Sequence, residues 1–159
     1  MLVSQAMVKK VVTLGPEDSL KDIVQKFVQN DISGAPVVDS EKKVIGILSE
    51  ADILRVLKER QKEFNLVYIA PTMGLVGLSF REKSVDRETE EVFSELENIT
   101  AREIMKKDVV TVAPNDELQV VVDLIAKGRF NRVPVVKDER LVGMVTRGDI
   151  IRAISTNPA

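Results

Sequence analysis

Two stretches decide how this chain is read: Met7-Val8-Lys9-Lys10-Val11-Val12-Thr13-Leu14-Gly15-Pro16 and Met105-Lys106-Lys107-Asp108-Val109-Val110-Thr111-Val112-Ala113-Pro114. They are one pattern written twice, 98 positions apart. The same offset carries the match through Asp18/Asp116, Leu20/Leu118, Val24/Val122 and Pro36-Val37-Val38/Pro134-Val135-Val136. After a one-residue deletion the offset becomes 97, adding Gly46/Gly143, Asp52/Asp149, Ile53/Ile150 and Arg55/Arg152, for 16 identities in 46 aligned pairs. An internal repeat takes precedence over any local assignment, because each copy must then fold alike.

Each copy predicts the same order of elements. Val11–Leu14 and Val109–Val112 are β-branched and apolar enough for strands, each stopped by Pro16 or Pro114. A helix follows, with Asp18 or Asp116 as the expected cap. Leu20, Ile23, Val24, Phe27 and Val28 fall on one helical stripe, as do Leu118, Val121, Val122, Ile125 and Ala126. Two short apolar runs separated by a polar turn come next, Ala35–Val38 with Val44–Leu48 and Val133–Val136 with Leu141–Val145. A second helix opens at Ser49 or Thr146. The fold class is thus mixed α/β (α+β), two β-α-β-β-α units. Each unit has roughly 50 residues, too few for a generous core alone, so the two are expected to pack sheet to sheet with pseudo-twofold symmetry. The expected boundaries are 1–60 for the first repeat, 61–98 for an insert, and 99–159 for the second repeat. Within the insert, Leu66–Phe80 is uncharged and broken by Pro71, Gly74 and Gly77, and Glu82–Glu97 reads as an acidic linker helix.

Composition removes whole classes of chemistry. The 159 residues hold no Cys and no His, so thiol and imidazole nucleophiles, disulfides and Cys/His metal sites are absent. Charged residues make up 30% at a net charge of −2, and hydrophobic residues 44%, an ordinary globular balance. With five Phe, one Tyr and no Trp, there is neither a basic field nor a stacking platform for nucleic acid. The fifteen-residue run Leu66–Phe80 is short of the roughly 20 apolar residues of a spanning helix, and no secretory signal opens the chain. No membrane association and a cytoplasmic location are therefore expected.

The sharpest matched element is Gly-x-x-Ser/Thr-x-x-Asp: Gly46, Ser49, Asp52 and Gly143, Thr146, Asp149. A hydroxyl followed three residues later by an acid at a helix start reads as a capping box. The usual partner there is Glu or Gln; the shorter Asp can instead turn outward and accept hydrogen bonds from vicinal hydroxyls such as those of ribose, beside a helix N-terminus that favours phosphate. The second element is Gly34-Ala35-Pro36-Val37 against Arg132-Val133-Pro134-Val135. Proline suits a strand entry and donates nothing to a ladder, leaving the backbone of Ala35 or Val133 available to a purine edge. Arg132 can grip a phosphate bidentately where Gly34 cannot, and Arg147 and Arg129 are further phosphate candidates. No P-loop and no Rossmann turn is present, and Gly74-Leu75-Val76-Gly77 lacks the basic residues of a phosphate clamp.

These paired motifs resemble a tandem pair of cystathionine β-synthase (CBS) domains, a Bateman module, over about Met1–Arg60 and Ile99–Ser155. The resemblance implies a non-catalytic regulatory module binding an adenosyl ligand, AMP, ADP, ATP or S-adenosylmethionine, with no catalytic cofactor. By the same resemblance Asp52 and Asp149 match the ribose-binding aspartate and Ser49 and Thr146 its neighbouring hydroxyl. Arg132 matches a phosphate position, while Ala35, Pro36, Val133 and Pro134, with Thr13 and Thr111 on the adjoining strand, match the adenine pocket. It further implies a homodimer that signals to a separate effector protein, since the repeats take up nearly the whole chain. Two other readings compete: an interaction module with vestigial clefts, and a carboxylate-based, Mg-dependent enzyme using Asp52 and Asp149.

Overall fold

The computed structural model describes residues 1–60, 94 and 96–156. The expected apolar run 66–80 and nearly all of the acidic linker helix lie outside the described residues. In chain order the elements are α1 (Val3–Ala6), α2 (Leu20–Asn30), β1 (Gly34–Val38), β2 (Val44–Ser49), α3 (Glu50–Arg60), α4 (Ala101–Ile104), α5 (Leu118–Ala126), β3 (Arg132–Lys137), β4 (Arg140–Thr146) and α6 (Arg147–Thr156). β1 pairs with β2, and β3 with β4, in two separate two-stranded sheets.

The first predicted strand of each copy shortens to one residue. Leu14 and Val112 each make a single parallel bridge, to Val37 and Val135. Their amides donate to the carbonyl oxygens of Pro36 (2.9 Å) and Pro134 (3.1 Å). Proline supplies an acceptor although it lacks a donor, and the chain then turns away at Pro16 and Pro114 before a ladder can extend. A second correction concerns the helix cap. The Ser19 hydroxyl, not Asp18, accepts the Asp22 amide of α2. Asp18 instead closes the preceding turn, accepting the Gly15 amide at 2.9 Å, and Asp116 does the same with Ala113 at 2.7 Å. The short carboxylate thus organises the Pro-containing turn one step before the helix. Val28, expected on the buried stripe, is 55% exposed, because the stripe has rotated off the core by its third turn.

By compactness the chain divides into two units, Met1–Thr13 with Val38–Ile45 and Asp108–Ala159, and Leu14–Val37 with Gly46–Lys107. In the first, Val3, Val112, Leu118, Val121, Val133, Val135, Val145 and Ile150 form one buried apolar cluster. In the second, Leu14, Leu20, Ile23, Ala35, Val37, Leu48, Ile53 and Ala101 are buried at the matching positions. Each such side chain contributes roughly 1.5–3 kcal/mol, less for alanine, against the entropy of ordering the chain.

A short helix that sequence reading did not detect completes each unit. α1 and α4 are four residues each, 98 positions apart, too short for any apolar period to register. In the first unit the Val3 amide donates to Asp116 O, Leu118 donates to Met1 O, and Val8 bridges Met144. In the second, Ala101 donates to Asp18 O, Leu20 to Ile99 O, and Lys106 bridges Ile47. These arms lie flat because Gly46 and Gly143 have no side chain: a Cβ on Gly46 would collide with Met105, and one on Gly143 would stand 2.6 Å from Met7 Sδ and 3.1 Å from Val8 O.

Gly143→Ala is therefore expected to destabilise by about 1–3 kcal/mol, since the added methyl overpacks the Met7 side chain. Combining it with Met7→Ala should cost less than the sum of the two single losses, by at least ~0.5 kcal/mol in urea denaturation. Strict additivity would show that the two residues do not press on each other.

Candidate functional site

Three residues in each copy build the site, and backbone geometry at the strand–helix junction places them. β2 ends at Ser49 and β4 at Thr146, and α3 and α6 begin at the next residue. The Glu50 amide donates to Ser33 O at 3.0 Å and the Arg147 amide to Asn131 O at 3.4 Å, tying each helix start to the residue before the hairpin. Ser49 and Thr146 are thus N-caps, and an acid three positions on reaches back to them.

Both carboxylates are buried, Asp52 at 1% and Asp149 at 4% exposure. Asp52 Oδ2 accepts the Ser49 amide at 2.8 Å and the Ser49 hydroxyl at 2.9 Å. Asp149 Oδ2 accepts the Thr146 amide at 2.7 Å and its hydroxyl at 2.6 Å. In the second copy the Thr146 hydroxyl also accepts the Asp149 amide at 3.3 Å, completing a reciprocal box. The capping arrangement is thus the geometry adopted, with one oxygen of each aspartate committed to the helix start.

The other oxygen faces a cation that sequence reading did not include in the site. Arg55 Nη2 donates to Asp52 Oδ1 at 2.8 Å, and Arg152 Nη2 donates to Asp149 Oδ1. The signal was present as Asp-x-x-Arg in both copies, an i,i+3 pair on one helix face. The two arginine side chains are 49% and 69% exposed, so each ion pair has one buried and one wet partner. Lys106 Nζ stands 3.7 Å from Asp52 Oδ1 as well. Its counterpart in the repeat is Val8, so only Asp52 sees a second cation.

The remaining predicted residues are distributed around these junctions. Arg132 is half-buried and pairs in register with Thr146, which brings Arg132, Thr146, Arg147 and Asp149 to one end of the β3–β4 hairpin. Val133 and Pro134 follow in β3, buried and opposite Val145 and Met144. Ala35 and Pro36 hold the same places in β1, where Gly34 leaves no side chain at the Arg132 position. Thr111 is exposed beside the Val112 bridge. Thr13 is half-buried and lines a cavity of about 250 Å³ together with Lys9 and Lys42, away from Asp149. Among the described residues no three acidic side chains converge on a point, and no helix is long and apolar enough to cross a membrane.

A family model described as the CBS domain matches residues 3–59 and again residues 101–156. The chain belongs to the CBS-domain family. Protein MJ1426 of Methanocaldococcus jannaschii is 34% identical to this CBS pair over 158 residues, 97% of this chain and 91% of that protein. Among solved structures, the CBS domain pair of protein MJ0100 in complex with 5-methylthioadenosine and S-adenosyl-L-methionine is similar at a TM-score of 0.70. Its identity is 23%, covering 98% of this chain and 97% of that one. CBSX2 of Arabidopsis thaliana in complex with AMP is similar at a TM-score of 0.68 and 22% identity, covering 98% and 96%. At these identities the two solved structures establish the fold.

Asp149→Ala removes the acceptor of a helix-start amide and the partner of Arg152, and is expected to cost about 1–3 kcal/mol. Asp149→Asn keeps an acceptor for the Thr146 amide and should cost less by chemical denaturation. Equal losses would place the stabilising contribution in the carboxylate charge and not in the cap.

Proposed function

We propose that this CBS pair is a regulatory module, without catalysis of its own, that binds an adenosyl ligand at the Ser49/Asp52 and Thr146/Asp149 junctions. The observation that carries the reading is the division of labour within each aspartate. Oδ2 is fixed by the cap, which holds the carboxylate in one orientation; Oδ1 faces solvent-exposed cations, Arg152 in the second copy and Arg55 with Lys106 in the first, which a ligand can displace. Two vicinal ribose hydroxyls are suitable donors to such an oxygen, and the helix start beside it accommodates phosphate. The two complexes of this fold just described hold AMP and S-adenosyl-L-methionine, which supports an adenosyl group as the ligand class.

In this reading residues 1–60 and 99–159 are the ligand-facing repeats, flanking an insert at 61–98. Ala35, Pro36, Val133 and Pro134, with Thr13 and Thr111, serve the adenine, and Arg132 with Arg147 serves the phosphate. The second junction should therefore prefer anionic ligands over the first, where Gly34 replaces the arginine. The module works in the cytoplasm as a homodimer and passes its state to a separate effector protein. Support for self-association comes from α3 and α6, which each expose apolar side chains at matched positions, Leu54 at 48% and Ile151 at 67%, with Ile154 at 60%.

Calorimetric titration with AMP, ADP, ATP and S-adenosylmethionine tests the reading directly. The expected result is micromolar binding of at least one, weakened tenfold or more by Asp149→Asn or Asp52→Asn, a loss of about 1.4 kcal/mol or more. The carboxylates are already satisfied within the protein, which favours an interaction module with unused clefts as the second reading. Silence from all four ligands, or full affinity in the Asp52→Asn/Asp149→Asn variant, would decide for it. Ile151→Lys is expected to convert a dimer to a monomer in sedimentation equilibrium; a parent chain that is already monomeric would remove the homodimer from the proposal.

A further inference from the structure

A concentration of positive charge with no ion-pair partner among the described residues stands at the other end of the β3–β4 hairpin, five residues along β3 from Arg132 and so roughly 17 Å away from the Thr146 junction. β3 and β4 are joined by Asp138 and Glu139 alone, at φ 50° and 63°. Two consecutive left-handed residues are what a tight two-residue hairpin turn requires; Asp138 is of a type that adopts that region, whereas Glu139 is not. The consequence of so tight a turn is that Lys137 and Arg140 become a register pair, directly opposite each other. Like charges in that position repel and weaken the hairpin. Lys42, itself at φ 65°, joins them, since its carbonyl accepts the Leu141 amide at 2.9 Å.

Two cavities that meet at Val142 open among these residues. The larger, about 560 Å³, is lined by Lys43, Lys137 and Arg140 together with Glu41, Asp138 and Glu139. The smaller, about 250 Å³, carries Lys9 and Lys42 on its rim over walls that include Val11, Val38 and Leu141. Two of the three acids are already engaged with one cation: Lys43 Nζ lies 3.7 Å from Glu41 and 3.5 Å from Glu139. Among the described residues no carboxylate comes within ion-pair distance of Lys9, Lys42, Lys137 or Arg140. Two left-handed residues of types that rarely adopt that region, Lys42 and Glu139, and an opposed Lys–Arg pair are thus maintained around a groove whose four remaining cations have no carboxylate partner among the described residues. Strain of this kind persists where the surroundings impose it, and it concentrates at ligand sites.

We propose that this hairpin-tip groove binds an oligophosphate chain, either free or as the tail of a nucleotide. A single carboxylate or sulfate satisfies one or two of the four cations; a chain of phosphates bridges Lys137 and Arg140 and reaches Lys42 or Lys9 as well. Arg140 supplies a planar fork for one phosphate and the lysines act as point charges for the others. The groove lies away from the aspartate carboxylates and shares with the residues proposed for their ligand only Thr13, which lines the smaller cavity.

Calorimetry with inorganic tripolyphosphate, at low and at moderate salt, reads the site. The expected result is one tripolyphosphate per chain, bound at least tenfold more weakly by Lys137→Gln/Arg140→Gln and lost steeply as salt rises. Binding should be unchanged in Lys107→Gln/Lys127→Gln, which removes the same charge elsewhere, and in Asp52→Asn/Asp149→Asn. Arg140→Gln should keep or raise the melting temperature, since it relieves a like-charge pair. ATP weakened in parallel by the tip substitutions identifies a nucleotide tail as the source, and ATP indifferent to them identifies the free chain. The proposal is overturned by absence of binding at millimolar tripolyphosphate in low salt, or by an equal loss in the Lys107→Gln/Lys127→Gln control.

Discussion

The contact on which the rest of the structure depends is a methionine lying across a glycine. Met105 covers Gly46 and Met7 covers Gly143, each at a distance that a single Cβ would violate. That approach lets the arm before each methionine pair with β2 or β4 through the Lys106–Ile47 and Val8–Met144 bridges. Without it, the arm's Val3 or Ala101 could not enter the core, and the carbonyls of Pro114, Asp116, Pro16 and Asp18 would lose the amides that now reach them. Half-buried backbone acceptors deprived of their donors are costly, so the glycine secures several interactions at once.

The same glycine stands three residues ahead of the cap hydroxyl. Gly46, Ser49 and Asp52 lie on one strand-to-helix run, as do Gly143, Thr146 and Asp149. A side chain at the first position displaces the strand end and with it the amide that orients the carboxylate. The triplet spacing seen in the sequence is therefore one mechanical part, in which packing at one end sets the direction of a carboxylate at the other.

Much of this was legible in the residues and some was not, for identifiable reasons. The four long strands fell within one or two residues of their predicted limits because they are β-branched runs bounded by polar turns. The Ser49–Asp52 and Thr146–Asp149 pairs were legible because spacing alone puts them in reach. The arms Val3–Ala6 and Ala101–Ile104 escaped notice because four residues carry no period, and their helical turn is stabilised by contacts far away in sequence. Asp18 misled as a cap because Ser19 beside it is equally able, and choosing between them depends on the geometry of the proline turn. Arg55 and Arg152 were visible as repeat identities, yet their role appears only once the buried aspartate leaves one oxygen turned toward them.

The two copies diverge in where they place positive charge, and that divergence bears on how a bound ligand has any consequence. A ligand alters a protein's behaviour only to the extent that it binds one arrangement better than another. Here the arrangements differ at a named bond. With Arg152 on Asp149 Oδ1, the guanidinium is held along α6; a ligand hydroxyl in its place, as proposed, would release Arg152 to solvent or to a neighbour. The first copy resists that exchange more, because Lys106 as well as Arg55 stands near Asp52. Arg132, present only in the second copy, is the side chain proposed there for anions, beside the aspartate with fewer cations around it. Lys106 also belongs to the arm that bridges Ile47, so releasing Asp52 disturbs a residue whose backbone holds β2 in place. On the proposed binding, a ligand at the first junction would therefore be coupled to arm packing through Lys106, whereas one at the second would free a helix-face arginine and leave the Val8 bridge untouched.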